Sequence, residues 1–257
     1  MLEETRLHRI RALLSTLNRV STENIIQHLG VSRETVRRDV LKLEAMGALR
    51  RVHGGIVATA LETDAPSTVR SATMREREKR AIARTAVRQL TAGQTLFIDA
   101  GTTTSLLADE LLSMPGMTII TNSLSVALKL TSAATTLHHD VILLGGRMEP
   151  AAQSTCGDIT LDELQRYRAD VALLSPVGIA SQSGASSFSH HEAAVAKSMA
   201  QHANTRIILA DHSKVGLTSR VIYATMPEID LIITDAAAAD NPELTALQAQ
   251  CRQIILA

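Results

Sequence analysis

The sequence contains few aromatic residues and few cysteines, and both shortages narrow the possible functions. Aromatic residues make up 2% of the 257 residues, and Trp does not occur. Proteins that bind single-stranded nucleic acid stack bases on aromatic side chains, so duplex DNA is the easier nucleic-acid partner. The two cysteines, Cys156 and Cys251, are far apart and lack the spacing of metal ligands. This favours a reduced cytosolic protein, and we expect no metal site.

Long hydrophobic runs are absent as well. No stretch approaches the roughly 18 apolar residues that cross a bilayer, and the acidic start at residues 1–4 does not resemble a signal peptide. We therefore expect a cytoplasmic protein with no membrane partner. Hydrophobic residues make up 45% of the chain and charged residues 20%, which favours a globular protein with a real core.

The formal net charge is zero, but the charge is unevenly distributed. Residues 1–55 contain ten basic and six acidic residues, so the rest of the chain is net acidic. The basic end is a candidate for contact with a polyanion. The length favours two domains. We place them at residues 1–57 and 74–257, with a linker of weak periodicity at residues 58–73.

The first 45 residues show the pattern of three short helices. Apolar residues at spacings of three and four predict an amphipathic helix over residues 5–17. Ser21 or Thr22 can cap a second helix that ends at Gly30, and Ser32 can cap a third. Two short helices joined by a glycine-containing turn form a helix-turn-helix, in which the third helix here would enter the major groove.

The polar face of the third helix and the segment after it carry the expected DNA contacts. Charged helix faces are more often simply solvated. Here, however, the basic residues cluster at the start of the helix, and Arg can pair bidentately with guanine. Residues 48–57 predict two short strands around a Gly-Gly turn, a wing that lies along the phosphate backbone. The expected DNA-binding residues are Ser32, Arg33, Thr35, Arg37, Arg38, Lys42, Arg50, Arg51 and His53.

The second domain alternates helical segments, the first at residues 74–90, with apolar runs of β type. Near-continuous apolar runs suit strands that are buried on both faces of a mostly parallel sheet, so the predicted fold class is α/β with a Rossmann-like domain. Ligands of such sheets bind at the carboxyl ends of the strands. The predicted strands are 95–99, 117–121, 141–144, 171–174, 207–210 and 231–234.

Small, hydroxyl-bearing and charged residues follow these strands. Residues 101–105 offer glycine, hydroxyls and the free N–H groups of a helix start, which can bind an anion, although a simple capped turn has the same pattern. Lys214 could neutralise a phosphate, and Asn122 and Asp211 could bind hydroxyls. Neither nucleotide-binding glycine motif occurs, and we expect no cofactor. The expected effector-binding residues are Asp99, Gly101, Thr102, Thr103, Thr104, Asn122, Ser123, Gly145, Gly146, Gly178, Glu192, Asp211 and Lys214.

The sequence resembles the DeoR family of bacterial regulators of sugar metabolism. The motifs that carry this resemblance are 30–40, 43–55, 99–103, 121–123, 145–146, 192–194 and 211–214. The resemblance implies a winged helix-turn-helix that binds operator DNA in a homodimer or homotetramer and acts as a repressor. It also implies a sensor domain, similar in fold to ribose-5-phosphate isomerase, that binds a phosphorylated sugar or a related metabolite.

The chain departs from the family pattern shortly before Glu192. Family members often carry an acidic residue where this sequence has Ser189-His190-His191. Whether the two histidines contact the ligand stays open, and adjacent histidines are poorly placed to share a metal.

A sugar-phosphate isomerase fused to a DNA-binding module is the alternative function. Asp99, Glu192, Asp211 and Lys214 include groups that can transfer protons. The N-terminal module argues against an enzyme, because catalysis needs neither a wing nor a basic recognition helix. A purely architectural DNA binder would leave the polar loops unexplained. We therefore predict a repressor without catalytic residues.

Overall fold

The computed structural model describes residues 3–17, 19–46, 48–52, 54–57 and 74–257. The chain divides into two compact units, Met1–Ser67 and Thr68–Ala257. The predicted linker at 58–73 and the predicted DNA contact His53 lie outside the described residues. Among the helices that are described, none is both long and apolar enough to span a membrane.

The N-terminal unit contains three helices and a small antiparallel sheet, as the sequence predicts. The strand order in the sheet is β1-β3-β2. The elements are α1 (Glu3–Leu17), β1 (Arg19–Ser21), α2 (Thr22–Leu29), α3 (Arg33–Ala45), β2 (Arg50–Val52) and β3 (Gly55–Val57).

Local chemistry fixes the turn between α2 and α3. The Ser21 side chain accepts a hydrogen bond from the Asn24 N–H at 3.2 Å, and Ser32 does the same for the Thr35 N–H at 3.3 Å. Gly30 ends α2 with a φ of 61°, a left-handed conformation that costs glycine little. The predicted caps and turn of the helix-turn-helix are therefore confirmed.

A buried ion pair joins α1 to α3. The Arg6 Nε lies 2.6 Å from one carboxylate oxygen of Asp39, and its Nη2 lies 3.0 Å from the other. Asp39 is only 4% exposed, although it lies in the middle of a helix whose neighbouring arginines face solvent. Bidentate pairing of this kind fixes both distance and orientation. It therefore holds α3 in place against α1.

Asp39→Ala is expected to destabilise the N-terminal unit, because it removes the bidentate pair between Arg6 and Asp39 that joins α1 to α3. The midpoint of thermal unfolding of this unit should fall by about 5 °C or more. The measurement is thermal unfolding of the full chain followed by circular dichroism. Asp162→Ala, which removes an exposed carboxylate from the other unit, is the control. Equal midpoints for the two variants would contradict a structural role for the pair.

The C-terminal unit is built around a parallel sheet of seven strands. The strand order is β15-β14-β12-β9-β4-β5-β6, and every neighbouring pair is parallel. The strands of this sheet are β4 (Thr95–Ile98), β5 (Thr118–Thr121), β6 (Asp140–Leu143), β9 (Ala169–Leu174), β12 (Ala203–Leu209), β14 (Leu231–Thr234) and β15 (Ile254–Leu256).

Helices and two small antiparallel sheets cover this parallel sheet. The helices are α4 (Glu76–Val87), α5 (Thr102–Leu111), α6 (Leu124–Leu137), α7 (Asp158–Leu164), α8 (His190–Gln201) and α9 (Pro242–Gln248). One small sheet pairs β7 (Arg147–Glu149) with β8 (Ser154–Cys156). The other has the order β10 (Gly178–Ala180), β11 (Gly184–Ser187), β13 (Val221–Ala224).

Both faces of the parallel sheet are buried, which is why its strands read as continuous apolar runs. Phe97 and Ile120 pack in a core cluster on one face, which we call the α8 face because Val195 and Met199 of that helix belong to it. Ile98 packs in the cluster on the other face, the α4 face, together with residues of α4 and α5. The predicted α/β class is confirmed, and each of the six predicted strands is present.

Candidate functional site

The polar face of α3 is open to solvent. Val36, Val40 and Leu43 are buried beneath the helix, as the apolar pattern predicts. The residues of α3 and its cap that were predicted to contact DNA lie on the other side. Ser32, Arg33, Arg37, Arg38 and Lys42 are exposed, and Thr35 is half-buried.

Several of these cations already have acidic neighbours. Arg33 lies 2.9 Å from Glu23, and Lys42 pairs with Glu3. Arg37 makes a 3.5 Å contact with Glu34. Exposed pairs of this kind contribute little stability, so a phosphate could replace the acid at small cost. Arg38 has no ion pair within the described part of the chain, which leaves this cation of α3 available to a duplex.

The wing places two further arginines beside α3. The Arg51 guanidinium lies 2.5 Å from the Glu44 carboxylate, which also accepts the Arg51 N–H at 3.2 Å. Arg50 is exposed. A Cβ at Gly55 would stand 2.2 Å from the Val20 carbonyl oxygen, so the close pairing of β3 with β1 requires glycine there. The wing thus contacts α3 on one side and β1 on the other.

In the C-terminal unit, the direction of the chain across the sheet changes between β4 and β9. From β4 the chain proceeds to β5 and β6, and from β9 it proceeds the other way to β12, β14 and β15. Open α/β sheets bind ligands at such a switch point, outside the carboxyl ends of the strands. Asp99 follows β4 there, and Ser175 follows β9.

A hydrogen-bonded chain crosses this switch point. The Ser175 N–H donates to the Asp99 carboxylate at 2.9 Å, and the Lys214 ammonium donates to the Ser175 hydroxyl at 3.1 Å. The structure therefore brings together Asp99 and Lys214, which the sequence analysis proposed from separate strand ends. Asp211, which follows β12 by two residues, is buried beside them.

Two cations from the start of α4 complete this site. The Lys79 ammonium donates to the Thr102 hydroxyl at 2.9 Å, although the Lys79 side chain is only 2% exposed. The Arg75 guanidinium lies 3.7 Å from the Asp211 carboxylate. Three cations thus meet two carboxylates at the strand ends. We call Arg75, Lys79, Asp99, Asp211 and Lys214 the charge cluster.

Burial changes the pKa values of the charge cluster. Burial lowers the pKa of Lys79 to about 8, and the charge of Lys214 contributes to this lowering. Burial raises the pKa of Asp99 to about 7. Burial also lowers the pKa of Lys214. Burial opposes ionisation of Asp211, but Lys214, Ser213 and Arg75 together lower its pKa. Near neutral pH the cluster therefore carries a surplus of positive charge, which favours an anionic ligand.

The segment before α5 is suited to the same ligand. Gly101 is the N-cap of α5 and has no side chain that could form a capping hydrogen bond. A Cβ at Gly101 would come within 3.1 Å of the Ser175 side chain. Thr103 and Thr104 are fully buried. The predicted anion-binding segment thus lies directly beside the charge cluster.

Three predicted glycines have other surroundings. The Gly145 N–H donates to Glu163 of α7 at 2.6 Å, and a Cβ at Gly146 would stand 2.1 Å from the Thr160 hydroxyl. These glycines allow α7 to approach the backbone closely. β9 ends at Leu174, so Ser175 and not Gly178 follows the end of this strand. Gly178 lies within β10. We leave the three glycines out of the proposed effector contacts.

Asn122 and Ser123 follow β5, on the side of β4 away from β9. The Asn122 side-chain N–H donates to the Thr155 carbonyl at 3.0 Å, and the Ser123 N–H donates to the Thr121 hydroxyl at 3.0 Å. Glu192 is half-buried and accepts a 2.9 Å hydrogen bond from the Ser187 hydroxyl. His190 and His191 are exposed. Within the described ranges, no group of three or more metal-ligating side chains is placed to hold an ion.

Two protein-family models match the chain. The DeoR-like helix-turn-helix domain covers residues 6–60, and the DeoR C-terminal sensor domain covers residues 74–236. The chain belongs to the DeoR family. Its predicted resemblance is thereby confirmed over both domains.

Relatives of this DeoR-family chain are transcription repressors. It is 34% identical to the glycerol-3-phosphate regulon repressor of Escherichia coli over 217 residues, which is 84% of each chain. It is 37% identical to the transcriptional repressor GlcR of Bacillus subtilis over 236 residues, covering 91% of this chain and 89% of that one. The DeoR-family chain is a DNA-binding transcriptional repressor and not an enzyme, as predicted.

Among solved structures, the chain matches ribose 5-phosphate isomerase A from Methanocaldococcus jannaschii. The two share 18% identity over 54% of each chain with a TM-score of 0.38. This low similarity carries no functional argument for the DeoR-family chain.

Arg75, Lys79 and Ser175 are site residues of this DeoR-family chain that were not predicted from the sequence. A signal for Lys79 was present, because it shares the apolar face of α4 with Ile82 and Ala83 at spacings of three and four. A lysine at such a position must be paired or functional, since a buried charge is otherwise costly.

Proposed function

We propose that the chain represses a carbohydrate catabolic operon and that a phosphorylated sugar, bound at the charge cluster, releases it from DNA. The observation that carries this proposal is the surplus of positive charge at the switch point, where Arg75, Lys79 and Lys214 meet Asp99 and Asp211. A surface cation could be solvated by water, but Lys79 is 2% exposed and holds its charge against burial. A phosphate would offset that cost.

The arrangement of side chains at the site supports a phosphate ester over a simple anion. Lys79 lies beside the N-terminus of α5, where a helix favours an anion. Buried side chains that can hydrogen-bond hydroxyls, Asp99 and Asn122, follow β4 and β5. The name of the E. coli relative refers to glycerol 3-phosphate, a compound with the same two chemical parts.

The DNA partner is a duplex operator. The exposed arginines of α3 suit the major groove, and Arg50 of the wing suits the phosphate backbone. A homodimer or homotetramer would bind repeated half-sites spaced by a helical turn or a multiple of it. We expect the protein to act in the cytoplasm.

The direct test is titration of the protein–operator complex with phosphate esters. A phosphorylated sugar that binds the charge cluster should lower operator affinity by roughly 5- to 150-fold, the usual range of allosteric coupling. Fluorescence anisotropy of labelled operator DNA measures this, with the unphosphorylated sugars as controls. The proposal fails if esters that bind by calorimetry leave operator affinity unchanged.

Effector binding is expected to weaken in alkali. The ammonium of Lys79, whose pKa is about 8, must be protonated to attract the phosphate, so the association constant should fall about tenfold for each pH unit above 8. Protonation of Asp99 below pH 7 leaves the cluster more positive and does not weaken anion binding. Affinity should therefore not fall between about pH 6, the second pKa of a phosphate ester, and pH 8. Calorimetry across this range measures it, and equal affinity at pH 7 and pH 9.5 would contradict it.

A further inference from the structure

Four buried oxygen atoms in or beside the charge cluster have no hydrogen-bond partner among the described residues. One is the Thr103 hydroxyl at the start of α5, and the other three are Oδ1 of Asp99, Oδ1 of Asn122 and the hydroxyl of Tyr223. These last three residues are 7%, 4% and 5% exposed. Buried polar atoms are nearly always paired, so four such atoms in one region point to a ligand that supplies the partners.

The three side chains lie on one face of the sheet. Asp99 and Asn122 follow strands whose last residues, Ile98 and Thr121, are paired in register. Each lies two residues after a side chain of the α8-face cluster, Phe97 for Asp99 and Ile120 for Asn122. Because strand side chains alternate, both point to that face. Tyr223 packs in the same cluster, from β13 of the small sheet.

Asp99 and Tyr223 are also electrostatically linked. Burial raises the pKa of the Tyr223 phenol, and the charge of Asp99 raises it further. The phenol therefore lies within range of the carboxylate. Asp99 already accepts the Ser175 N–H through Oδ2, so Oδ1 is the oxygen left for a ligand. Asp99 therefore links the cationic end of the site to the end that contains Tyr223.

Lys79 approaches from the opposite face. Lys79 is followed on α4 by Ile82 and Ala83, which belong to the α4-face cluster. A ligand whose phosphate contacts Lys79 and Lys214 would therefore direct the rest of its carbon chain past Asp99, towards Asn122 and Tyr223.

We propose that Tyr223, together with Asp99 and Asn122, forms a subsite that binds the hydroxyl groups of a neutral sugar end, away from the phosphate. This subsite rests on the proposed function, because it assumes that the cations hold the phosphate. The Asn122 amide is oriented by its donation to Thr155, so its free oxygen can only accept. Asp99 accepts when ionised, and the phenol donates. Alcohol groups, which do both, match this set.

The same end of the site disfavours an acidic group. Glu192 is half-buried nearby, and burial together with the charge of Glu149 raises its pKa. The charge of Glu192 in turn contributes to the raised pKa of Asp99. A carboxylate or a second phosphate would meet these acids at close range. We therefore expect the ligand to be a phosphorylated polyol or sugar with one anionic end.

Tyr223→Phe tests the subsite, because it removes the hydroxyl and keeps the ring. The probes are inorganic phosphate, glycerol 3-phosphate, ribose 5-phosphate, fructose 6-phosphate and glucose 6-phosphate, titrated into the full chain by calorimetry. The Kd of the sugar phosphate that binds best should rise about tenfold, the effect of one lost hydrogen bond. The Kd of inorganic phosphate should stay unchanged. Tyr167→Phe, at the other tyrosine of the chain, is the matched control.

Thermal unfolding without ligand excludes a purely structural role. A hydroxyl with no partner contributes nothing to the free protein, so Tyr223→Phe should unfold at the wild-type temperature or above it. Wild type that binds none of the probes would overturn the proposed function itself. Wild type that binds a sugar phosphate more tightly than inorganic phosphate, with an unchanged Kd in Tyr223→Phe, would overturn the subsite alone. The subsite also fails if no sugar phosphate binds more tightly than inorganic phosphate.

Discussion

Lys79→Met is expected to abolish the response to a phosphorylated effector and to raise thermal stability. Removing one partner of a buried, hydrogen-bonded charge contact costs about 2–5 kcal/mol, so effector affinity should fall about 30-fold or more. The methionine side chain has a similar length and needs no charged partner. Since burial lowers the pKa of Lys79 to about 8, its charge destabilises the ligand-free fold at neutral pH. The variant should therefore unfold at least about 2 °C higher than wild type.

Lys197→Met is the matched control for this experiment. Lys197 is exposed on α8, so this substitution makes the same chemical change away from the site. Effector binding is measured by calorimetry and operator release by anisotropy. Lys79→Met should bind operator like wild type and remain bound when effector is added. A variant that still releases the operator at the wild-type effector concentration would show that the phosphate binds elsewhere.

Arg38→Ala is expected to weaken operator binding by about 1–3 kcal/mol, or roughly 5- to 150-fold, and to leave effector affinity unchanged. Arg38 is exposed on α3, and no ion pair involves it in the described part of the chain. Its loss therefore costs no ion pair among the described residues, and we expect stability to stay constant. An effect on DNA binding would then report a direct contact with DNA.

Specific and non-specific DNA fragments in an anisotropy assay separate the two kinds of contact. Arg38→Ala should lose affinity mainly for the operator, as expected for a base contact. A phosphate contact, as proposed for Arg50, weakens binding to every sequence and reduces the salt dependence. Arg84→Ala, which removes an exposed arginine from α4 of the other unit, is the matched control. If Arg38→Ala and Arg84→Ala bind the operator equally, α3 does not read DNA through Arg38.

The sequence predicts the elements that carry strong local signals. Serine caps, Gly30 and helical periodicity define the helix-turn-helix, and apolar runs define six strands of the parallel sheet. The small sheet of β10, β11 and β13 was not predicted. Its strands β10 and β11 are short and rich in Gly, Ala and Ser, which have little strand propensity, and β11 pairs with residues of β13 that are more than 30 positions away in the sequence. Its order therefore comes from tertiary packing.

Only part of the site could be predicted, because only some of its residues carry a signal in the local sequence. Asp99, Asp211 and Lys214 follow strands, so the strand-end rule finds them. Tyr223 and Lys79 enter from a small sheet and a helix, and no rule of the parallel sheet indicates them. Glycines after strands have two explanations, contact with a ligand or contact with another backbone. The sequence does not distinguish them, and Gly146 turned out to face Thr160.

The ion pair between Arg6 and Asp39 limits how this repressor could be retargeted. Asp39 lies within the helix whose outward residues would be exchanged to redirect the protein to a new promoter, yet it belongs to the interior. A graft of a foreign sequence onto α3 would therefore have to retain the acid at this position, or import a compatible partner on α1. Promoter choice and domain integrity are encoded on opposite sides of the same helix, so libraries aimed at new promoters should vary one side only.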